Sequence, residues 1–378
     1  MKVALVSPYD LLQPGGVNSH VTQLARQLRA LGHEVRLIGP ASARPPNEEH
    51  TLVAPGRVFP LAANGSTAHL DLSPRDFQWM RAVLQRERFE VVHVHEPLVP
   101  VLPLAALWRS TAANVGTFHA HYDRSALHTL ARPFLRLFLA RLDARIAVSP
   151  AALRSASAQF PGHYRIVPLA VDLTAFAREA EPLARFADGR VNLLFVGRLD
   201  ARKGLDHLLA AFAQVRGERQ QTRLIVVGPL DRSAERYLRR ASELGLGLEA
   251  AVFVGAVDQQ ALPRYYATAD VVCSPALGGE SFGMVLLEAM AAGKPVLATR
   301  IGGYADLVRE WREALLVPPG DEQALTRALS LLVDNEGLRR RLGAEGRRRV
   351  EQFAWPRIVR RIVAIYEEAL ALRGARAA

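Results

Sequence analysis

The sequence predicts an α/β protein made of two Rossmann-like domains, each a doubly wound parallel sheet. Three observations predict it. Short apolar runs alternate with helix-period segments from end to end, the pattern of strand–helix–strand units. The runs fall into two series of six, separated by a stretch without convincing period. At 378 residues the chain is long enough for two hydrophobic cores.

The first series is Val3–Val6, Val35–Ile38, Val91–Val94, Val115–Phe118, Ile146–Val148 and Ile166–Pro168. The opening run is too short, and too soon interrupted by Pro8, for a signal peptide. Val21–Leu31 carries a helical apolar period between the first two runs. The segment from Val171 to Arg190 holds Asp172, Glu179, Glu181, Pro182 and Asp188-Gly189 and reads as the linker. The second series is Leu193–Val196, Leu224–Val227, Val252–Val254, Val271–Cys273, Val296–Thr299 and Ala314–Val317. Helical patterns at Asp206–Gln214 and Asp258–Tyr266 fill gaps within it. A last helix runs from Trp355 to Leu372, with Pro356 suited to its first position. The expected domains are residues 1–180 and 181–355, followed by a C-terminal helix over 356–378.

An apolar share of 49% and a charged share of 22% describe an ordinary globular chain. No apolar run approaches the roughly 18–20 residues needed to span a bilayer. Cys273 is the single cysteine, so no intrachain disulfide can form and a reducing cytoplasm is expected. The formal charge is +11, and only Lys2, Lys203 and Lys294 are lysines. No aromatic–basic interleaving or nucleic-acid module accompanies this charge. An anionic membrane surface or phosphorylated ligands are the partners it suggests.

The richest passage is Gly279-Glu280-Ser281-Phe282-Gly283-Met284-Val285-Leu286-Leu287-Glu288-Ala289. It follows a strand, and open α/β sheets bind ligands at the carboxyl ends of their strands. Backbone N–H groups of Phe282, Gly283 and Met284 would lie unpaired at a helix start, ready for an anion. Glu280 would face a polyhydroxy group beside that anion, and Glu288 a second hydroxyl pair. A sugar joined to a nucleoside diphosphate has those parts. Pro14-Gly15-Gly16-Val17 and Gly197-Arg198-Leu199-Asp200-Ala201-Arg202-Lys203-Gly204 follow the first strand of each series. Arg198 could fork onto a phosphate, with Lys203 as a mobile point charge. His119 ends the fourth run, where an imidazole can donate to a leaving group or orient a hydroxyl; His93, His95 and Glu96 end its neighbour. No zinc-type cysteine spacing supports a metal site there. No Asp-x-Asp pair occurs in the chain to hold a divalent cation on a diphosphate. Within Tyr122–Arg145, His128, Arg132 and Arg136 recur at four-residue steps, opposite Leu135, Phe138, Leu139 and Leu142. Pro133 is expected to interrupt or start that helix. With Arg124, these arginines are the candidate contacts to an anionic leaflet.

With those residues laid out, the chain resembles the family 4 retaining glycosyltransferases of GT-B type over nearly its whole length. Within that family the pieces are most similar to the bacterial phosphatidylinositol mannosyltransferases. They are PGGVNSHV at 14–21, ANGSTAHL at 63–70, VVHVHEPLVP at 91–100, GTFHAHYD at 116–123, ARIAVS at 144–149, GRLDARKG at 197–204 and GGESFGMVLLEAMAAGKPV at 278–296. The resemblance implies two domains facing a cleft, with the C-terminal helix crossing back onto the first. It implies Gly16 against the donor diphosphate, Arg198 and Lys203 as its cationic clamp, and Glu280 on the sugar hydroxyls. Ser281, Phe282, Gly283 and Met284 would hold sugar and phosphate, Glu288 the ribose, and His119 would lie beside the reacting sugar. Tyr9, Asn64 and Ser66 would belong to an inositol phosphate pocket. Asn18 and His69 fall in the same acceptor region, where relatives often carry Gln and Arg.

The activity implied is transfer of mannose from GDP-mannose to an inositol hydroxyl of phosphatidylinositol with retention, on the inner face of the cell membrane. No cofactor beyond the nucleotide sugar, and no protein-bound Mg²⁺, is implied. Two rival readings remain. One is a related transferase using UDP-glucose or another donor with another lipid or soluble acceptor. The other is an inactive, peripheral membrane-binding protein. A dinucleotide-dependent oxidoreductase fits less well, since neither Gly-Gly turn is followed by the full fingerprint.

Overall fold

The computed structural model describes residues 1–13, 15–45, 48–63, 66–119, 126–176, 181–231 and 233–377. The chain opens with β1 (Lys2–Val6), α1 (Gly16–Ala30), β2 (Glu34–Gly39), β3 (Thr51–Val53), β4 (Val58–Ala63) and β5 (Ser66–Asp71). It continues with α2 (Arg75–Glu87), β6 (Val91–His95), α3 (Leu102–Arg109), β7 (Ala113–Phe118), α4 (Ala126–Leu139), β8 (Ala144–Ala147), α5 (Pro150–Gln159) and β9 (Arg165–Ile166). The second half contains β10 (Val191–Val196), α6 (Leu205–Glu218), β11 (Thr222–Val227), α7 (Ala234–Glu243), β12 (Ala251–Gly255), α8 (Leu262–Thr268) and β13 (Val271–Ser274). Then come α9 (Met284–Ala291), β14 (Val296–Thr299), α10 (Gly302–Ala305), β15 (Ala314–Val317), α11 (Glu322–Asp334), α12 (Glu336–Val350) and α13 (Trp355–Ala377).

These elements form two compact units. One comprises Met1–Ala170 with Trp355–Ala378, the other Val171–Ala354. The division precedes the boundary at 180/181 read from the sequence. Val171 is tied to the second unit by a bridge to Ala354 and by its N–H to the Phe353 carbonyl at 3.0 Å. Phe176 follows it, packing edge-on against Tyr266. Trp355 belongs with the first unit because its indole lies in that unit's core.

In the first unit a seven-stranded parallel sheet has the order β3-β2-β1-β6-β7-β8-β9. The strand order reverses between β1 and β6, leaving a crevice outside their carboxyl ends. The strands are buried on both faces and therefore read as nearly continuous apolar runs. The helix α13 supplies Trp355, Ile358, Val359, Ile362, Ile365, Tyr366 and Ala369 to the same core as Val3, Val91 and Val115. Their three- and four-residue spacing is the stripe by which a helix buries one face.

In the second unit six parallel strands have the order β12-β11-β10-β13-β14-β15. That is the Rossmann order, with its switch point between β10 and β13. Leu193, Phe195, Leu209, Phe212, Leu224 and Leu329 belong to the cluster at its centre.

The sequence reading placed no strand between 39 and 91, where three occur. β3 extends the parallel sheet by pairing with β2, while β4 and β5 make an antiparallel hairpin. Pro60 inside β4 hid its alternation, since proline removes a ladder donor. The Asn64-Gly65 dipeptide is the sequence signal that could have found the hairpin.

Candidate active site

In the second unit the two loops flanking the switch point are bound to each other through backbone. The Leu277 N–H donates to the Arg202 carbonyl at 2.7 Å. Gly204 caps α6 at φ +72°, and a Cβ there would lie 2.0 Å from the Pro275 carbonyl oxygen. Only glycine fits both the left-handed turn and that approach. A Cβ on Gly303 would lie 2.2 Å from the Glu280 carbonyl oxygen, so α10 buttresses the same loop.

This framework gathers a chain of alternating charges. Glu280 Oε1 accepts from Arg202 Nη1 at 2.6 Å and pairs with Lys203 Nζ at 2.7 Å. Arg202 Nη1 also reaches the Gly279 carbonyl at 3.4 Å. Arg202 Nε and Arg198 Nε lie 3.6 and 3.8 Å from the two Asp200 oxygens. Lys203 and Glu280 are each 15% exposed, whereas Arg198 is 47% exposed. Two carboxylates therefore share three cations, and the excess positive charge suits an anion. Arg198, Lys203 and Glu280 are brought together as the sequence suggested. Asp200 and Arg202 complete the group, and the sequence reading assigned them no role although they stand inside the GRLDARKG segment.

The loop continues through Ser281 and Phe282 to Gly283, the N-cap of α9, at φ +107°. A Cβ on Gly283 would lie 2.8 Å from the Tyr304 ring. The Tyr304 hydroxyl in turn shares a 2.7 Å hydrogen bond with Ser274 Oγ. The first bonds closing α9 run from the Leu286 and Leu287 N–H groups to the Gly283 carbonyl, at 3.0 and 3.3 Å. Met284 opens the helix, and N–H groups of its first turn have no partner within it. One turn on, Glu288 Oε2 accepts from the Tyr266 hydroxyl at 2.6 Å. Burial pushes the Glu288 carboxyl up to about 7, because a recessed charge is costly.

In the first unit, β6 and β7 deliver a column of buried histidines. The His119 N–H donates to Glu96 Oε1 at 2.7 Å, and its Nε2 lies 2.9 Å from His95 Nδ1. The His93 ring packs against His95 with centroids 4.3 Å apart. His93 itself bonds Tyr366 OH and Thr117 Oγ1, each at 2.6 Å. His20, from α1, packs edge-on against His95 and His119 and stacks on Trp355. Burial lowers all four imidazoles, His20 to about 4 and His93 to about 3, so they are neutral near pH 7. Among the described residues no group of three or more His, Cys, Asp or Glu is arranged to hold a metal ion. Glu96 occupies the left-handed region at φ +52°, a strained backbone at the strand end.

The expected acceptor residues lie around the loop after β1. Tyr9 bridges to Leu70, and the Asp10 N–H donates to the His69 carbonyl at 3.0 Å, fastening the hairpin to that loop. Burial, aided by the Glu96 charge, raises the Tyr9 phenol. Asn18 is committed to the loop itself. It accepts from Ser7 Oγ at 3.0 Å and donates to the carbonyls of Asp10 and Gln13 at 2.6 and 3.1 Å. Gly15 and Gly16 are exposed at the start of α1, with nothing within 4 Å of a Cβ on either. Asn64, the Ser66 side chain and Arg124 lie outside the described residues.

The expected helix over Tyr122–Arg145 is α4, ending at Leu139. Pro133 neither starts nor stops it but lies within. Leu135, Phe138 and Leu139 are buried, while Phe134 and Leu137 are exposed together with Arg136. Arg132 is partly buried. No helix among the described residues is long and apolar enough to cross a membrane.

Two nucleotide-binding-type sheets with an anion-seeking cluster on one and a buried histidine column on the other define a glycosyltransferase of the GT-B class. The sequence model for glycosyl transferases group 1 matches residues 179–349, and that for Glycosyltransferase Family 4 matches residues 14–175. The phosphatidyl-myo-inositol mannosyltransferase of Mycobacterium leprae is 36% identical, covering 97% of this chain and 96% of that protein. The GDP-mannose-dependent alpha-mannosyltransferase of Mycolicibacterium smegmatis is 31% identical over the full length of both. Among solved structures, sucrose-phosphate synthase from Thermosynechococcus elongatus superposes with a TM-score of 0.77 at 26% identity, covering 98% of this chain and 99% of that one. The chain belongs to the family 4 glycosyltransferases and is a hexosyltransferase.

Proposed function

We propose that the protein transfers a mannosyl residue from GDP-mannose to an inositol hydroxyl of phosphatidyl-myo-inositol, with retention, at the inner face of the cell membrane. The near full-length similarity to the Mycobacterium leprae mannosyltransferase carries this reading. The similarity to a GDP-mannose-dependent mannosyltransferase supports the donor.

In this reading the donor diphosphate meets Arg198, Lys203 and the first N–H groups of α9, and Gly16 is a further donor contact. Glu280, held by Arg202, accepts from sugar hydroxyls, and Glu288 accepts from the ribose. The acceptor hydroxyl attacks from the face that the diphosphate leaves, and the departing phosphate oxygen takes its proton. Cations and helix N–H groups aimed at that developing charge supply much of the rate. Tyr9, Asn64, Ser66 and His69 hold the inositol phosphate, while Asn18 fixes the loop carrying Tyr9. The exposed Phe134 and Leu137 beside Arg136 meet the lipid surface. No cofactor enters this scheme, and no bound Mg²⁺.

The experiment is a donor screen: GDP-mannose, GDP-glucose, UDP-glucose and UDP-galactose, each with phosphatidylinositol liposomes, read by the mass of the lipid product. One hexose added from GDP-mannose alone is the expected result. Transfer from UDP-glucose instead, or only to a soluble acceptor, overturns it.

A further inference from the structure

Tyr266 takes no part in the proposed chemistry, yet its phenol is committed to a residue that does. The ring belongs to α8 and is 0% exposed, with Phe176 packed edge-on at 5.4 Å between centroids. Its hydroxyl donates to Glu288 Oε2 at 2.6 Å, and among the described residues this is the one hydrogen bond either side chain makes. Burial and the adjacent carboxylate raise the phenol well above its ordinary value, so it keeps its proton and serves as a donor.

A recessed carboxylate is costly unless its oxygens find donors. Oε2 of Glu288 has Tyr266, whereas Oε1 takes no hydrogen bond from the described residues and is not sealed from the surface. It is open to a donor from outside the fold. Around α9, Arg347 of α12 and Lys294 bond the backbone carbonyls of Ala291 and Ala267, and the Tyr304 hydroxyl bonds Ser274. Cys273 of β13 is a thiol that burial keeps protonated. None of these groups engages the carboxylate. The Tyr266 hydrogen bond is what favours the ionised form of Glu288, against burial, which disfavours it.

We propose that Tyr266 is a positioning residue for the nucleotide: by holding Glu288 at Oε2 it aims Oε1, as an acceptor, at the ribose hydroxyls. A carboxylate pinned through one oxygen keeps the other in one direction, so the contact is formed before the ribose arrives. Without the phenol the carboxyl would be protonated over more of the working pH range, and would offer an O–H where an acceptor is needed. The inference deepens the proposed function and rests on it for the ribose contact of Glu288. It does not depend on the base or on the sugar transferred.

The test measures Kd for GDP and for 2′,3′-dideoxy-GDP with the full-length protein, from pH 6 to 8.5. Tyr266→Phe keeps the ring and its contact with Phe176. At pH 7 it is expected to weaken GDP about tenfold, the worth of a hydrogen bond to a charged group, and to leave the dideoxynucleotide within about twofold. The midpoint of the rise in GDP affinity with pH is expected to move up by about one pH unit. Glu288→Ala removes the acceptor, and adding Tyr266→Phe to it is expected to change GDP affinity by less than about twofold. Equal weakening of both nucleotides, or a Tyr266→Phe effect that survives in Glu288→Ala, overturns the inference. Binding of UDP in place of GDP, with the same dependence on ribose hydroxyls and on Tyr266, supports it and overturns the GDP-mannose donor alone.

Discussion

Glu280 has one oxygen engaged by two cations, Arg202 and Lys203, and that arrangement sets what substitutions do. In the proposed reading Lys203 turns from Glu280 to the donor phosphate, while Arg202 keeps the carboxylate aimed. Arg198→Ala and Lys203→Ala are each expected to lower kcat/KM about 10²- to 10³-fold, the usual loss on removing one group that stabilises developing charge. Steady-state kinetics on the mannosyl donor check it, and near wild-type turnover in both would remove the clamp. Glu288 yields a pH prediction. Its carboxyl is pushed up to about 7 by burial, and in the proposed reading only the ionised form is a pure acceptor for ribose hydroxyls. Donor binding to the ionised form pulls that value down, so affinity should strengthen as pH rises through about 7. Donor Kd measured from pH 5.5 to 8.5 should fall accordingly, and Glu288→Gln should flatten the profile.

At the scale of elements, the histidine column makes the first unit sensitive to acid. Each ring has a folded-state value below the ordinary histidine value, so below about 6.5 the unfolded chain binds more protons than the folded one. The stabilisation is complete above that pH and is lost as pH falls toward about 4 and 3, where His20 and His93 would titrate in place. A drop in Tm between pH 6.5 and 4 is the expected outcome. His20→Phe keeps the stacking on Trp355 and removes one titrating group, so it should reduce that drop; an unchanged slope would count against the column as its source. The same column explains the docking of α13. Tyr366 gives the helix one polar anchor on His93, inside an otherwise apolar stripe.

For the whole molecule, a formal charge of +11 and the exposed α4 face point to one experiment. Phe134 and Leu137 are 56% and 58% exposed, on the same helix as Arg136. Apolar side chains reach an interface, and each nearby arginine adds about 1 kcal/mol on an anionic leaflet. Flotation with liposomes containing phosphatidylinositol should recover the protein at low salt and lose it with neutral lipid. Arg136→Glu with Leu137→Glu should weaken recovery severalfold while nucleotide binding persists. Indifference to lipid charge would exclude this face as the contact.

The strands of both sheets were legible because parallel strands buried on both faces need unbroken apolar runs, and the glycine-rich turns announced themselves through the conformations they permit. Arg198, Lys203 and Glu280 could be picked out because charged side chains in glycine-flanked turns after strands are where the sequence reading expects a phosphate and a sugar to be met. The hairpin was not legible, since a two-stranded ribbon interrupted by Pro60 has little alternation to show. Nor was the role of Arg202, which depends on Glu280, 78 positions away, being folded against it. The four histidines lie on α1, on β6 and just after β7, and no spacing in the sequence says that their rings will touch. Local patterning thus determined which segments form strands and helices and which residue types crown them. Only the packing of distant segments decided which charges are paired and which rings stay neutral, because those depend on distance and burial.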